Sequence, residues 1–314
     1  MNSEIISKTE KKEQNKSKLE NLKSKYILKQ IFEHFNSKKA LEIIRYNKYF
    51  QNKFNVNISF YQEYSQSYSS IIIELNLSDN KYGKFINIPE LDKEYYHIYF
   101  DNSKEEINRD YLKENEKIKK IKIVIKYQVK SLKDLFANCS CISSIVFKQF
   151  SRNNITHMNN MFYKCTSLKK IDFSNFNTNK VSDMSYMFYK CSSLKELNLS
   201  NFNTNKVINM SNMFHECSSL KELNLSNFNT NNVIKMNHMF SGCSSLKQIN
   251  ISNFNTNNLV DMSYMFSWCS SLEEIKFSNS NFNSNNLINM SNIFNGCSDD
   301  LKNKIKEKIK NIKI

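Results

Sequence analysis

The sequence predicts an α/β solenoid, which is a stack of similar repeats, and two observations lead to this prediction. Inside each repeat the spacing of apolar residues changes from two to three or four, which indicates a strand followed by a helical segment. A unit of this length cannot bury its apolar side alone, so neighbouring repeats are expected to stack. Seven of the eight cysteines mark the repeats, six of them 26 residues apart and the last after 28: Cys139, Cys165, Cys191, Cys217, Cys243, Cys269 and Cys297.

One part of each repeat predicts a strand. In the pattern Leu194-x-x-Leu197-x-Leu199 the last two leucines are two residues apart, so they lie on the same face of an extended chain. These leucines are predicted to point into the core. Glu196 and Asn198 alternate with them and are predicted to point outward.

The other part of the repeat returns the chain to the next strand. Val207, Met210, Phe214 and Cys217 follow one another at intervals of three, four and three, which predicts an apolar stripe on a helix or helical turn. The corner between the two parts, residues 200–205, is rich in Asn, Ser and Thr, whose short side chains bond to the backbone. The recurring methionines and cysteines are therefore predicted to be core residues.

The two ends of the chain differ from the repeats. Residues 1–24 predict a charged, flexible arm, and residues 25–50 predict a helical hairpin, because two runs of apolar residues there have helical spacing. At the other end, residues 298–314 predict a helix that caps the last repeat. Four apolar residues fall on one face of this helix, namely Leu301, Ile305, Ile309 and Ile312.

The region between the hairpin and the repeats, residues 51–117, predicts a small strand-rich region. Turn signals separate three β-prone runs at 71–77, 84–88 and 95–100. Residues 121–125 then read as the first strand of the solenoid, which is predicted to span 118–297.

The repeats resemble the BspA-like leucine-rich repeats of bacterial and protist surface proteins. The resemblance is carried by units such as residues 209–220 followed by 223–231, and it covers residues 132–297. It implies a leucine-rich-repeat solenoid with a parallel β-sheet on its concave face. It also implies that this solenoid binds other macromolecules and has no catalytic residues.

The hairpin resembles an F-box. The match falls on Ile27, Leu28, Ile31, Phe32, Phe35, Leu41, Ile43, Lys48 and Phe50. This resemblance implies an alternative function, a substrate receptor that binds the adaptor of a ubiquitin ligase through residues 25–50.

Charge and motif content argue against several classes of protein. The formal net charge is +15, but residues 157–297 hold 11 Lys or Arg against 8 Asp or Glu, so the repeats are nearly neutral and predict no nucleic-acid groove. No apolar run is long enough to span a membrane. His215 and Cys217 are two apart and would face different ways on a helix, so they do not form a nucleophile and base. We expect no enzyme, cofactor or metal site.

These considerations predict a recognition protein that binds protein partners in the cytoplasm. The sequence begins without an export signal, and seven equivalent cysteines offer no natural disulfide pairing, which suits a reducing compartment. A surface-displayed adhesion protein is the further alternative. The predicted partner-binding residues are the outward positions of the strands: Asp172, Glu196, Asn198, Glu222, Asn224, Gln248, Asn250, Glu274 and Lys276.

Overall fold

A computed structural model of the protein describes residues 47–53, 65–277 and 289–308. The chain divides into two compact units, Met1–Ser69 and Ser70–Ile314. In the first unit, helix α1 spans Lys48–Lys53, and residues 65–68 are also helical. The predicted arm and most of the predicted hairpin lie outside the described residues.

The second unit begins with strands that carry the first repeats. They are β1 (Ile71–Leu77), β2 (Gly83–Lys84), β3 (Tyr96–Phe100), β4 (Tyr111–Leu112), β5 (Lys120–Ile125), β6 (Ile142–Gln149) and β7 (Lys170–Asp172), with a 3₁₀ helix at Glu90–Tyr95. One sheet has the order β3-β5-β1-β6-β7, and β2 pairs with β4 separately. The run predicted at 84–88 is thus a strand only at its first residue, although Phe85 and Ile86 are fully buried.

Strand β5 does not start the parallel stack as predicted. It pairs antiparallel with β3 on one side and with β1 on the other. Strand β1 lies between β5 and β6, and the first parallel pairing is that of β6 with β7. Sequential order alone suggested that β5 joins the repeats, but the intervening β1 separates them.

Successive repeats are joined by a ladder of backbone hydrogen bonds on the turn side, the part predicted to be a helix or helical turn. Alternate N–H groups of one repeat donate to carbonyls of the next, at 2.6–3.2 Å for the pairs Met158–Asp183, Asn160–Ser185, Phe162–Met187 and Lys164–Tyr189. The N–H groups between them close short turns, as Cys165 does on the Phe162 carbonyl. In the described repeats this side is therefore a row of turns with left-handed residues such as Asn160 and Lys164, and it is neither of the predicted helical forms.

The strand side is less continuous than predicted. Strands β8 (Gln248–Asn250) and β9 (Glu274–Lys276) pair in parallel, as β6 and β7 do. The repeats around Leu197 and Leu223 have no assigned strand, yet both leucines are only 7% exposed. The leucines therefore stay buried even in repeats that lack the strand hydrogen bonds.

The core of the stack is a column of phenylalanines flanked by methionines. Seven rings stack with centroids 5.4–5.8 Å apart and planes within 2–12° of parallel: Phe136, Phe162, Phe188, Phe214, Phe240, Phe266 and Phe294. The methionine column from Met158 to Met262 is also fully buried, and Met290 is partly buried. The prediction that the recurring methionines are core residues is confirmed from Met158 to Met262.

The repeated cysteines join neighbouring repeats. All eight cysteines of the chain are described, and they are free and buried. Six of them donate from Sγ to a phenylalanine carbonyl of the preceding repeat, for example Cys217 to Phe188 at 3.1 Å. Burial raises the pKa of Cys217 to about 12, so its thiol keeps the proton that it donates. Cys217 is thus engaged in a hydrogen bond between repeats within the core.

Both ends of the stack are covered. At the first repeat, Asn87 donates from its backbone N–H to the Leu135 carbonyl at 2.8 Å, and from Nδ2 to the carbonyls of Asp134 and Ala137 at 3.0 and 2.8 Å. At the last repeat, helix α2 (Asp299–Lys308) buries Leu301 and Ile305. These residues agree with the predicted cap, whereas Ile309 and Ile312 lie outside the described residues.

Candidate functional site on two faces of the repeats

The strand face has the alternation that the sequence predicted. Its nine outward residues are exposed, except Asp172, which is half-buried. The residues between them are buried, including Leu197, Leu223 and Ile249. The inward and outward positions are therefore as expected, and the role of the outward ones in binding stays a prediction.

Several of these outward residues shape the corner that follows each strand. Asn198 accepts the backbone N–H of Ser200 at 3.0 Å, and equivalent bonds recur at Asn224 and Asn250. Asp172 makes the same bond to Ser174, whose hydroxyl also donates to it, and these bonds lower the pKa of the Asp172 carboxyl. The asparagine column is thus engaged in local turns. The available chemistry of the face lies in its acidic and amide column, Glu196, Glu222, Gln248 and Glu274.

A second face lies on the turn side and carries a row of rings that we call the aromatic ribbon: Tyr163, Tyr186, Tyr189, His215, His238 and Tyr264. Tyr189 stacks on Tyr163 with centroids 4.7 Å apart and on His215 at 4.8 Å, both with planes 10° apart. His238 meets the edge of His215 at 5.7 Å and stacks on Tyr264 at 4.7 Å. The ribbon is therefore continuous across five repeats, although its members are far apart in sequence.

Part of the ribbon stands on backbone that bulky residues rarely adopt. Tyr186, His238 and Tyr264 have φ of 57, 56 and 55°, in the left-handed region. This region is unfavourable for a residue with a Cβ by roughly 1–2 kcal/mol, and asparagine tolerates it better. At the equivalent position other repeats have asparagine: Asn160, Asn212 and Asn292. The fold can therefore be built without rings at this position.

Cations and a carboxylate accompany the rings. Lys164 Nζ lies 5.2 Å from the Tyr163 ring centroid, and Lys190 Nζ lies 5.6 Å from that of Tyr189. Lys190 and His215 each contact Oε1 of Glu216 at 3.1 Å. Burial lowers the pKa of His215 and of His238, so both imidazoles are neutral at neutral pH. The ribbon therefore presents mostly uncharged ring edges, with the lysines at one end.

The sequence interpretation missed this face. The signal was present, because the aromatic positions flank a Met-Phe pair that recurs in five repeats, as in Tyr186-Met187-Phe188-Tyr189. The flanking positions vary among these five repeats while the pair does not.

The described residues contain neither a metal site nor a membrane span. No group of three or more His, Cys, Asp or Glu side chains within residues 47–53, 65–277 and 289–308 is placed to hold a metal ion. None of the helices in this part of the chain is both long and apolar enough to cross a bilayer.

Comparison with known proteins identifies the repeats. The family model described as "Mycoplasma protein of unknown function, DUF285" matches three overlapping stretches, residues 108–197, 130–224 and 195–308. These matches support the BspA-like character of the repeats. They begin after the F-box-like segment, whose role as an adaptor site stays a prediction. No curated protein matches the chain.

One solved structure is similar in part, a leucine-rich repeat protein from Bacteroides ovatus ATCC 8483. It is 21% identical to this chain with a TM-score of 0.33, and the match covers 59% of this chain. The chain spans about half the length of that protein, 52%.

Proposed function

Because the chain belongs to the DUF285 family, whose model matches residues 108–308, we propose that it is a non-enzymatic scaffold that recognises other proteins. In this proposal the repeats form a leucine-rich-repeat solenoid, and partners bind to its exposed side chains. The interior holds the repeats together through the phenylalanine, methionine and cysteine columns. The outer positions are free to vary without loss of the fold.

The observation that carries the proposal is the strained backbone beneath the aromatic ribbon. Tyrosine and tryptophan are enriched where proteins bind one another, because a large ring adds contact area with few rotatable bonds. Three rings of the ribbon are held in left-handed backbone where asparagine is the easier choice. A binding surface explains why the rings are kept.

The strand face is the second contact surface of the proposal. Its column of Glu196, Glu222, Gln248 and Glu274 is exposed across four consecutive repeats. Such a column suits a partner with basic or hydrogen-bonding side chains. We propose that this face orients the partner, since exposed charges affect the rate of association more than the affinity.

Two variants, one on each face, test the proposal. The ribbon variant carries Tyr186→Asn, His238→Asn and Tyr264→Asn, and the strand-face variant carries Glu196→Lys and Asn198→Lys. Each is immobilised beside the unchanged chain and exposed to extract from the source cells. We expect the ribbon variant to capture at least about tenfold less partner than the unchanged chain, because removal of hot-spot residues weakens binding to this extent. We expect the strand-face variant to bind more slowly.

The melting temperature is the control for this experiment. Asparagine relieves the left-handed strain of roughly 1–2 kcal/mol per residue, while each lost ring contact removes about 0.5–1.5 kcal/mol, so the two effects should nearly cancel. A ribbon variant that melts normally and still captures every partner of the unchanged chain would refute the assignment to this face. If the strand-face variant is also unaffected, protein recognition by the repeats is wrong.

The same proposal places the protein in a reducing compartment such as the cytoplasm. Chain purified from its source is expected to carry eight reduced thiols and no glycan at Asn198, Asn224 or Asn250, each of which begins an Asn-x-Ser motif. Burial keeps the pKa of the thiols high, so iodoacetamide should label none of them in the native chain and all of them in denaturant. Mass spectrometry measures both the labelling of the thiols and the presence of glycans. A disulfide or a glycan would contradict this compartment.

A further inference from the structure

A column of residues on the turn side, one from each repeat, runs beside the aromatic ribbon, and some of its positions carry no side chain. The residues of this column all have positive φ: Asn138, Lys164, Lys190, Glu216, Gly242, Trp268 and Gly296. Its two glycines occupy left-handed backbone at φ of 73 and 75°. These two positions contribute no side chain to the surface.

Side chains of this column lie over the residue one repeat further on. Lys190 reaches Glu216, where Nζ is 3.1 Å from Oε1. A Cβ built on Gly242 would lie 2.9 Å from Cγ of Glu216, and one built on Gly296 would lie 2.8 Å from two ring carbons of Trp268. Glu216 therefore covers Gly242, and Trp268 covers Gly296.

Gly242 has no side chain with which to cover Trp268. The column therefore places no side chain in the gap between Glu216 and Trp268, and Trp268 is 63% exposed. Glu216 precedes Gly242 in the column, and its Cγ lies beside the Gly242 backbone. The neighbouring positions, Ser241 and Ser267, are small and buried, so they leave the gap free.

We propose that this gap, the Gly242 slot, holds a lysine or arginine side chain of a protein partner, with the cation between the Glu216 carboxylate and the face of Trp268. The inference rests on the proposed function and names the chemistry of one contact. Tryptophan has the ring face that attracts cations most strongly, within about 6 Å of the ring centroid. A carboxylate adds a charge-assisted hydrogen bond to the same group.

The protein already holds one of its own lysines in this way. Lys190 Nζ lies 5.6 Å from the Tyr189 ring centroid and 3.1 Å from the Glu216 carboxylate. An aromatic ring and a carboxylate thus enclose an ammonium group one repeat before the slot. The contacts of Lys190 and His215 both go to Oε1 of Glu216, so Oε2 can accept from an incoming cation.

Trp268 reports on the slot directly, because it is the sole tryptophan of the chain. The probe is Nα-acetyl-L-arginine methylamide, titrated into the full chain while tryptophan fluorescence is followed. We expect a saturable change with half-saturation on the order of millimolar, the range of a single side-chain contact. The uncharged isostere Nα-acetyl-L-citrulline methylamide should cause no such change. If it binds as well as the arginine probe, the ring is not recognising a cation and the proposal is overturned.

Three variants with one control locate the contact. Gly242→Asn adds a residue that this column accepts in the first repeat, at Asn138 with φ of 61°. Its Cβ would lie 2.9 Å from Cγ of Glu216 and so displaces that side chain, and the variant should weaken probe binding at least about tenfold. Glu216→Gln keeps the size of the side chain and should weaken probe binding about fivefold. Lys190→Met removes the competing cation and should tighten probe binding. Glu114→Gln, at an exposed residue outside both recognition faces, should leave probe binding unchanged. Normal probe binding by a Gly242→Asn chain that melts like the unchanged protein would overturn the proposal.

The small probe separates this inference from the proposed function. If the probe fails while the ribbon variant still loses the captured partner, the slot is wrong and protein recognition stands. If the probe binds as predicted but the ribbon and strand-face variants capture what the unchanged chain captures, the slot stands and the assigned recognition faces are wrong.

Discussion

Replacing Arg152 with methionine is expected to destabilise the second unit by at least about 3 kcal/mol. Arg152 is fully buried, and its guanidinium donates to the backbone carbonyls of Val129, Ile125 and Lys126, the last two at 3.1 and 2.7 Å. Methionine fills much of the same space but donates no hydrogen bond. Each buried carbonyl that loses its partner raises the free energy of the folded state by about 1–3 kcal/mol.

The opposing effect is the desolvation of the guanidinium, which burial penalises strongly enough to lower the pKa of Arg152 to about 10. Methionine removes this penalty as well. The loss of the guanidinium's hydrogen bonds is expected to outweigh it, because methionine donates nothing to the carbonyls of Val129 and Ile125, although the Lys126 carbonyl still accepts the Val129 N–H at 3.4 Å.

Thermal unfolding checks this prediction. For a unit of this size a loss of 3 kcal/mol lowers the melting temperature by roughly 6–12 °C. The matched control is Arg152→Lys, which keeps the charge but loses the planar guanidinium. Its melting temperature should lie between those of the unchanged protein and Arg152→Met. An Arg152→Met chain that melts with the unchanged protein would show that these carbonyls do not depend on the guanidinium.

The second large effect is expected at the other end of the stack. Changing Leu301 and Ile305 together to aspartate should detach helix α2, because both side chains are at most 2% exposed. Each buried aliphatic side chain stabilises the fold by about 1.5–3 kcal/mol, so the loss is about 3–6 kcal/mol. The uncovered edge should also aggregate, since an open end of a repeat stack offers apolar surface and unpaired backbone groups.

Light scattering during heating, together with the melting temperature, measures this result. The matched control changes the exposed residues Asn303 and Lys306 of the same helix to aspartate, and should leave melting and scattering nearly unchanged. A double Leu301→Asp and Ile305→Asp chain as soluble and heat-stable as the control would mean that α2 is not a cap.

Much of this architecture was predictable from residues at short spacing. The 26-residue period is visible in the sequence itself. The inward leucines and the phenylalanine, methionine and cysteine columns that follow this period are buried in the structure. The reason is that burial repeats with the local period of the chain, two for a strand and three or four for a turn. Such periods can be read without knowing which repeat lies against which.

Only the tertiary structure shows how neighbouring repeats meet. The stacking of Tyr189 on His215 depends on contacts across 26 residues, and the bonding of Arg152 to β5 across 27. Arg152 stands one period before Thr178, a position where later repeats use a threonine hydroxyl to bond the next repeat. Nothing in its local sequence marks it as an anchor.

The candidate site divides in the same way. The outward strand residues follow from an alternation of two, whereas the aromatic ribbon and the Gly242 slot depend on left-handed backbone that directs side chains toward the next repeat. That conformation accompanies hydrogen bonds between repeats, such as those from the N–H groups of Asn160 and Lys164 to the next repeat. Local spacing therefore determined what is buried in this protein, and the bonds between distant residues decided which side chains meet on its surface.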